Sequence, residues 1–136
     1  MLHVLIADDD PVYRQLLETL LKQWNFRITL VCNGQEAMDA IERDPSIQLA
    51  VLDWNMPVMD GYEVCRQVKS DLSKNLYIIL ITGSRYKDEI INVLVAGADD
   101  YILKPFDAMD LKIRVRSAMR IINLEKELNS LRAMAL

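Results

Sequence analysis

Short apolar runs alternate with helical patterns along this 136-residue chain. Four runs are short enough to be buried strands, and they cover residues 4–7, 49–52, 77–81 and 101–103. Residues 27–32 add a fifth run of strand-forming composition. Strands that alternate with helices predict an α/β domain, a doubly wound parallel sheet with helices on both faces.

Local signals predict where the helices begin and end. Asp10-Pro11 is an N-cap followed by proline at the first helical position. Residues 33–36, Asn-Gly-Gln-Glu, are typical of a capping box, Asp107 can cap the last helix, and Gly97 suits the end of the fourth. Apolar residues at helical spacing predict the inward faces. They are Val12, Leu16, Leu17, Leu20 and Leu21 in the first helix, Ala37, Met38 and Ile41 in the second, and Val64, Val68 and Leu72 in the third.

The last helix carries two different apolar stripes. Leu111, Val115, Ala118 and Ile122 form one that can cover the sheet, and Ile121, Leu124, Leu128, Leu131 and Ala135 form another. The second stripe has the 3-4-3-4 spacing of a coiled-coil seam. We therefore predict a globular domain over residues 1–122 and a helical tail over 123–136, about 43 Å of helix if it begins at Asp107. The tail needs a partner, and a parallel homodimer is expected; a severed linker is the alternative.

Composition excludes several classes of protein. With 16 basic and 20 acidic residues, the chain is not expected to bind nucleic acid directly, and the basic residues of the last helix are interpreted as a solvated face. No apolar run approaches the roughly 18 residues that span a bilayer, so no membrane contact is predicted. Cys32 and Cys65 are predicted to be free, buried thiols in a cytoplasmic protein. His3 is interpreted as incidental, because too few Cys and His accompany it for a zinc site.

Polar residues follow the four apolar runs and meet at one edge of the predicted sheet. In parallel α/β sheets, ligands bind at the carboxyl ends of the strands. The residues at those ends are Asp8-Asp9-Asp10, Asp53, Thr82 and Lys104-Pro105. We therefore expect carboxylates, a hydroxyl and an ammonium in one pocket.

This set of groups predicts magnesium-assisted phosphoryl transfer. Clustered carboxylates repel one another unless a cation neutralises them, and Mg²⁺ prefers oxygen ligands such as carboxylates and a backbone carbonyl, here that of Asn55. Thr82 and Lys104 can bind the phosphoryl oxygens that are not on the metal. Attack by a carboxylate would give an acyl phosphate, with the protein positioning the groups and neutralising charge.

These motifs resemble the receiver domain of response regulators in two-component signalling. The resemblance runs from residue 3 to about 122 and rests on residues 5–10, 53–61, 81–83 and 97–106. It implies a CheY-like, flavodoxin-like (βα)₅ fold with strand order 2-1-3-4-5. It also implies a cis peptide bond at Lys104-Pro105. Gly83 is a small departure from the family pattern, where alanine or serine is usual.

The resemblance also implies a role for each site residue. Asp53 matches the phosphoacceptor. The metal ligands would be Asp9, Asp53 and the Asn55 carbonyl, with Asp8 acting largely through water, and the cofactor would be Mg²⁺, for which Mn²⁺ can substitute. Lys104 matches the salt-bridging lysine. Thr82 and Tyr101 match the switch pair. The backbone N–H groups of Trp54 and Gly83 would bind the phosphoryl group.

The function implied is a phosphorylation switch rather than an enzyme, although such a domain assists its own phosphotransfer and autodephosphorylation. The phosphodonor would be a sensor histidine kinase or a phosphotransfer protein. The tail resembles linkers to diguanylate-cyclase-like output domains, so we expect the N-terminal receiver of a longer regulator; a free-standing receiver is the alternative. A homodimer would use the last helix and the face of helix 4, strand 5 and helix 5. A haloacid-dehalogenase-like phosphatase is a remote alternative, because Asn55 stands where that family has a second aspartate.

Overall fold

The computed structural model describes residues 2–71, 73–83 and 87–135, with only the backbone for 87–89. Strands and helices alternate through this part of the chain. In order, they are β1 His3–Ala7, α1 Pro11–Gln23, β2 Arg27–Val31, α2 Gly34–Arg43, β3 Ile47–Asp53, α3 Gly61–Ser70, β4 Tyr77–Thr82, α4 Lys87–Val95, β5 Asp100–Leu103 and α5 Ala108–Ala135.

The strands form one parallel sheet in the order β2-β1-β3-β4-β5. Ala7, the last residue of β1, lies beside Val31 of β2 and Leu52 of β3. The end of β3 pairs with β4 in the same way, since Asp53 lies opposite Ile81. The carboxyl ends of these strands are therefore level, and the predicted fold and strand order are confirmed.

Each face of the sheet carries its own apolar core. Leu5, Leu52 and Leu80 point to the face that α2, α3 and α4 cover. Val51 and Ile79, at alternate positions of the same strands, point to the face covered by α1 and α5. Strands buried on both faces explain why they are continuous apolar runs instead of alternating patterns.

The helix starts follow the predicted capping signals. Asp10 accepts a hydrogen bond from the backbone N–H of Val12 at 2.9 Å. At α2, Asn33 accepts from the Glu36 N–H at 2.8 Å, and Glu36 in turn accepts from the backbone of Cys32. In addition, Asp107 accepts from Asp110 N–H at 2.8 Å. These caps fix where each helix leaves the carboxyl edge of the sheet.

Two predictions about the outer layer are wrong. Val12 and Leu16 are exposed. The stripe that α1 buries consists of Leu17 and Leu21, and Val12 and Leu16 lie about 100° or more around the helix from that stripe. Cys32 is exposed as well, since it follows edge strand β2 in the turn that caps α2.

Other predictions about these layers hold. Cys65 is buried, with its thiol donating to the Ala96 carbonyl oxygen at 3.5 Å. Gly97 ends α4 with φ of 90°. Leu72, predicted to lie on α3, is outside the described residues.

Helix α5 is longer than the sheet beneath it. Its buried residues are Leu111, Val115, Ala118 and Ile122, the predicted sheet-facing stripe. Every residue from 123 to 135 is exposed. Among the helices that the structure describes, none combines the length and hydropathy that crossing a bilayer requires.

Candidate functional site

Asp8 occupies the carboxyl end of β1 with its side chain fully buried. Its Oδ1 accepts the backbone N–H of Asp10 at 2.9 Å, and its carbonyl oxygen accepts from the guanidinium of Arg14 at 2.9 Å. The first turn of α1 thus holds the residue from both sides. This arrangement leaves Oδ2 facing the interior of the strand-end pocket.

The three consecutive aspartates take different positions. Asp10 caps α1 and so belongs to the helix. Asp9 is exposed at the mouth of the pocket. Carboxylate oxygens of Asp8, Asp9 and Asp53 lie within 4.8 Å of one another, a spacing at which they could hold one metal ion. The predicted acidic cluster is therefore brought together, without Asp10.

Asp53 ends β3 and is only 5% exposed. The chain turns away immediately after it: the Trp54 N–H donates to the Ile81 carbonyl at 2.8 Å, and the Gly61 N–H donates to the Trp54 carbonyl at 2.9 Å. A Cβ at Gly61 would collide with the carbonyl of Asp53. Glycine is therefore required where α3 begins against the end of β3.

The loop between β3 and α3 is anchored on neighbouring helices. A Cβ on Gly34, at the start of α2, would collide with the Met59 carbonyl. Val58 adopts φ of 71°, a left-handed conformation that a β-branched residue rarely takes. The ring of Trp54 packs on that of Tyr62 with centroids 5.3 Å apart. These contacts fix the loop that contains Asn55, which is exposed two residues beyond Asp53.

Lys104 brings a positive charge to the cluster from the end of β5. Its Nζ lies 3.3 Å from Asp8 Oδ2 and 3.4 Å from Asp53 Oδ2. The same ammonium lies 4.1 Å from the centroid of the Tyr13 ring, a cation–π contact. Its backbone N–H donates to the Thr82 carbonyl at 2.8 Å, and the Lys104-Pro105 peptide bond is cis.

The charges of this pocket are not balanced by the protein alone. Burial, followed by the negative charge of Asp8, raises the pKa of Asp53 to about 7, against the opposing effect of Lys104. Within the described residues, Asp8 Oδ2 is buried without a hydrogen-bond partner despite the nearby ammonium. A buried carboxylate oxygen that accepts no hydrogen bond, in a cluster of three carboxylates, fits a hard divalent cation such as Mg²⁺.

The remaining predicted residues lie on the two strands next to Asp53. Thr82 is buried at the end of β4 and pairs with Leu103. Gly83 follows it, with open space where a Cβ would be. Tyr101 lies half-buried on β5, two residues before Leu103. Thr82 and Tyr101 are therefore on adjacent strands, with Tyr101 two residues further from the carboxyl edge.

Sequence reasoning missed the support that α1 gives to the site. Tyr13 contacts the ammonium of Lys104, and its ring lies 5.6 Å from that of Phe106. Arg14 holds the Asp8 carbonyl. The available signal was their position in the first turn after the Asp10 cap, which places them beside the ends of the strands.

Comparison with known proteins identifies the family. The family model described as the response regulator receiver domain matches residues 4–116, which include every residue of the pocket. The chain belongs to this family. Receiver domains are signalling domains of two-component systems rather than classical enzymes.

Curated relatives and solved structures agree with the assignment. A probable transcriptional regulator ycf27 of Cyanidium caldarium is 37% identical over 120 residues, covering 88% of this chain and 47% of the relative. A probable two-component response regulator/GGDEF domain protein matches with TM-score 0.85 and 27% identity, over 90% of this chain and 51% of that one. The chain thus spans about half the length of the curated relatives it matches.

A third match bears on the metal. This match is the receiver domain of a sensor histidine kinase from Pseudomonas aeruginosa, with 30% identity and a TM-score of 0.78. The match covers 90% of the present chain and 98% of the Pseudomonas aeruginosa chain. It was solved with a magnesium ion coordinated in the active site cleft. In the present receiver domain, the three carboxylates at the end of the sheet offer oxygen ligands of the kind that Mg²⁺ prefers.

Proposed function

We propose that this receiver domain is a phosphorylation switch that accepts a phosphoryl group on Asp53. The observation that supports the assignment is the position of Asp53, a buried carboxylate that lies beside Asp8 and Asp9 and contacts the ammonium of Lys104 at 3.4 Å. A carboxylate in this place can act as the nucleophile towards a phosphoryl donor. Lys104 offsets the negative charge that the donor brings.

Asp8, Asp9, Asp53 and the backbone carbonyl of Asn55 would hold Mg²⁺, with Asp8 acting largely through water. Bound at this place, Mg²⁺ or Mn²⁺ supplies neutralisation of the charge on the transferring phosphoryl group. The Thr82 hydroxyl and the backbone N–H groups of Trp54 and Gly83 would bind the phosphoryl oxygens. The same groups would assist the later hydrolysis of the acyl phosphate.

The switch would act through the strands beside Asp53. Phosphorylation changes the charge at this position from −1 to about −1.5 to −2. Thr82 would donate a hydrogen bond to the new group, and Tyr101 would turn into the space it leaves. A groove of about 490 Å³ lies beside Tyr101 and is also lined by Phe106 and Ile113. The shape of this surface would then depend on phosphorylation.

The partners follow from the family. The phosphodonor would be a sensor histidine kinase or a phosphotransfer protein. Because the chain spans about half of the relatives it matches, we propose that it is the receiver of a longer regulator. The names of those relatives include a transcriptional regulator and a protein with a GGDEF domain. The tail of α5 would connect the receiver to its output domain.

The intact mass tests the phosphoacceptor assignment. Incubated with acetyl phosphate and Mg²⁺, the chain is expected to gain one phosphoryl group. Asp53→Asn should gain none. Asp10→Asn is the matched control, because asparagine caps a helix as well as aspartate does and Asp10 lies outside the acidic cluster. An equal gain in Asp53→Asn would refute the assignment, and steady turnover of a phosphomonoester would favour a phosphatase.

Tryptophan fluorescence tests the metal site separately. Trp54 adjoins Asp53, whereas Trp24 lies at the far end of α1 and supplies a constant background. Titration with Mg²⁺ should change the emission of Trp54. Asp9→Ala should weaken this response more than Asp8→Ala, because Asp9 is the direct ligand in this proposal. Equal weakening would assign both carboxylates to the metal.

A further inference from the structure

Lys104 reaches the acidic cluster from the edge of the sheet. It follows edge strand β5, and β4 lies between β5 and β3, the strand that ends in Asp53. Neighbouring strands are about 4.8 Å apart, so the ends of β5 and β3 are roughly 10 Å apart. The ammonium nevertheless lies 3.4 Å from Asp53 Oδ2. Because a lysine has a flexible four-carbon side chain, other contacts are needed to hold it in this direction.

The two carboxylates do not fix the ammonium by themselves. Its distances of 3.3 Å to Asp8 Oδ2 and 3.4 Å to Asp53 Oδ2 are nearly equal, so neither carboxylate selects one position. Both are longer than the about 2.7–2.9 Å of a charge-assisted N–H···O bond. Since the Lys104 side chain is 17% exposed, the ammonium can also turn towards water.

The ring of Tyr13 lies against this ammonium from α1. Nζ of Lys104 is 4.1 Å from the ring centroid, well within the about 6 Å at which the negative face of an aromatic ring attracts a cation. Among the residues that the structure describes, Tyr13 is the one aromatic side chain in such contact with Lys104. Both residues are half-buried, and a cation–π attraction is stronger where water is partly excluded.

Tyr13 is itself held in place from two sides. Its helical turn is bound to the site, since Asp10 caps α1 and Arg14 donates to the Asp8 carbonyl at 2.9 Å. On the other side, its ring lies 5.6 Å from that of Phe106, in the segment between β5 and α5. The ring therefore gives the ammonium a fixed surface at the end of the sheet.

We propose that Tyr13 is a positioning residue whose ring holds the ammonium of Lys104 inside the pocket, where it meets the phosphoryl donor. This inference rests on the proposed function and adds a residue to it. In uptake from acetyl phosphate, an Asp53 oxygen forms a bond to phosphorus while the bond from phosphorus to the acetate oxygen breaks and acetate leaves. An ammonium already in place offsets the charge of the phosphoryl oxygens without first being gathered from water. Tyr13 acts through Lys104 alone.

The rate of phosphoryl uptake from acetyl phosphate, followed by intact mass, tests this role. Tyr13→Leu keeps an apolar side chain without the ring and should slow uptake about three- to tenfold. Tyr13→Phe keeps the ring face and should stay within about twofold of the parent. Gln15→Leu, at an exposed position of the same helix, is the control and should also stay within about twofold. Circular dichroism should show that all three variants are folded. Equal rates in Tyr13→Leu and the parent, or equal losses in the leucine and phenylalanine variants, would overturn the proposal.

The affinity for Mg²⁺ separates positioning of Lys104 from support of the metal site. Titration followed by Trp54 emission should show that Tyr13→Leu binds Mg²⁺ at least as tightly as the parent. The reason is that an ammonium held beside Asp8 and Asp53 repels a second cation. A loss of Mg²⁺ affinity as large as the loss of uptake rate would show that Tyr13 supports the metal ligands, and would overturn the proposal.

A double-mutant cycle measures the contact without metal or donor. Urea unfolding in EDTA compares the parent, Tyr13→Leu, Lys104→Met and the double variant. We expect the two substitutions to be coupled by about three- to tenfold in the unfolding equilibrium constant, whereas a cycle with Tyr13→Phe should show less than about twofold. Absence of coupling in the leucine cycle would overturn this inference even if Asp53 accepts a phosphoryl group. A parent chain that takes up no phosphoryl group while the coupling is present would defeat only the proposed function.

Discussion

Replacing the Asp53 carboxylate with an amide should stabilise the receiver when no metal is present. The Asp53 side chain is buried beside Asp8, and the nearby Lys104 is shared between the two carboxylates. Asp53→Asn keeps the shape and removes one buried negative charge. A carboxylate that function requires at such a position lowers the stability of the fold, because functional sites place like charges close together.

The magnitude follows from the pKa of Asp53. Burial and the charge of Asp8 raise it from 3.8 to about 7. Between these two pH values, the folded protein holds the proton of Asp53 and the unfolded chain has released it. The free energy of unfolding therefore falls as pH rises from 3.8 to about 7. The full difference corresponds to about 4 kcal/mol above pH 7. The asparagine amide in the variant is also a buried polar group, so Asp53→Asn recovers only part of this free energy. We therefore expect Asp53→Asn to raise the free energy of unfolding by about 1–3 kcal/mol at pH 8.

Urea unfolding followed by circular dichroism, in EDTA, measures this difference. The advantage of Asp53→Asn over the parent should be largest at pH 8 and should shrink towards pH 4, where the parent's Asp53 is protonated in the fold. Glu42→Gln, on the exposed side of α2, is the control and should change little at either pH. Mg²⁺ should then stabilise the parent more than Asp53→Asn. A variant no more stable than the parent at pH 8, or a difference independent of pH, would refute the electrostatic reasoning.

Three further outcomes are expected. Gly61→Ala should lower the free energy of unfolding by about 1–3 kcal/mol through collision with the Asp53 carbonyl, whereas Gly83→Ala should be neutral or stabilising by up to about 1 kcal/mol in urea unfolding. A thiol reagent should modify Cys32 rapidly and spare Cys65 in the native protein, because burial raises the pKa of Cys65 to about 12; equal rates would contradict this. Burial lowers the pKa of His3, so its NMR titration midpoint should lie below 6.5, and its contribution to stability should be lost as pH falls below 6.5; a higher midpoint would mean that the Asp44 charge prevails.

Much of the fold could be predicted because the strands are buried on both faces. Such strands appear as uninterrupted apolar runs, and their ends are marked by a change to charged residues, as at Ala7-Asp8. The outer helices were harder to predict. Helical spacing alone does not tell which of several apolar stripes faces the sheet, so it groups Val12 and Leu16 of α1 with the buried leucines although both are exposed.

The site likewise contains residues that the sequence predicts and a contact that it does not predict. Asp8 and Lys104 directly follow strands and Asp53 and Thr82 end them, so topology alone predicts that the four side chains meet. Tyr13 reaches Lys104 across 91 positions of sequence, from the first turn of a helix. That contact depends on the direction in which α1 leaves the sheet, which the sequence pattern of α1 does not specify. The exposure of Cys32 depends likewise on β2 being an edge strand.

The most direct test of this account is to locate the phosphoryl group on the chain. Asp8, Asp9, Asp53 and the hydroxyl of Thr82 all lie at the same edge of the sheet, and each could in principle be modified. After reaction with acetyl phosphate and Mg²⁺, tandem mass spectrometry of peptides from the parent protein should place the group on Asp53. Phosphoryl found on Asp8, Asp9 or Thr82, with Asp53 unmodified, would contradict the account.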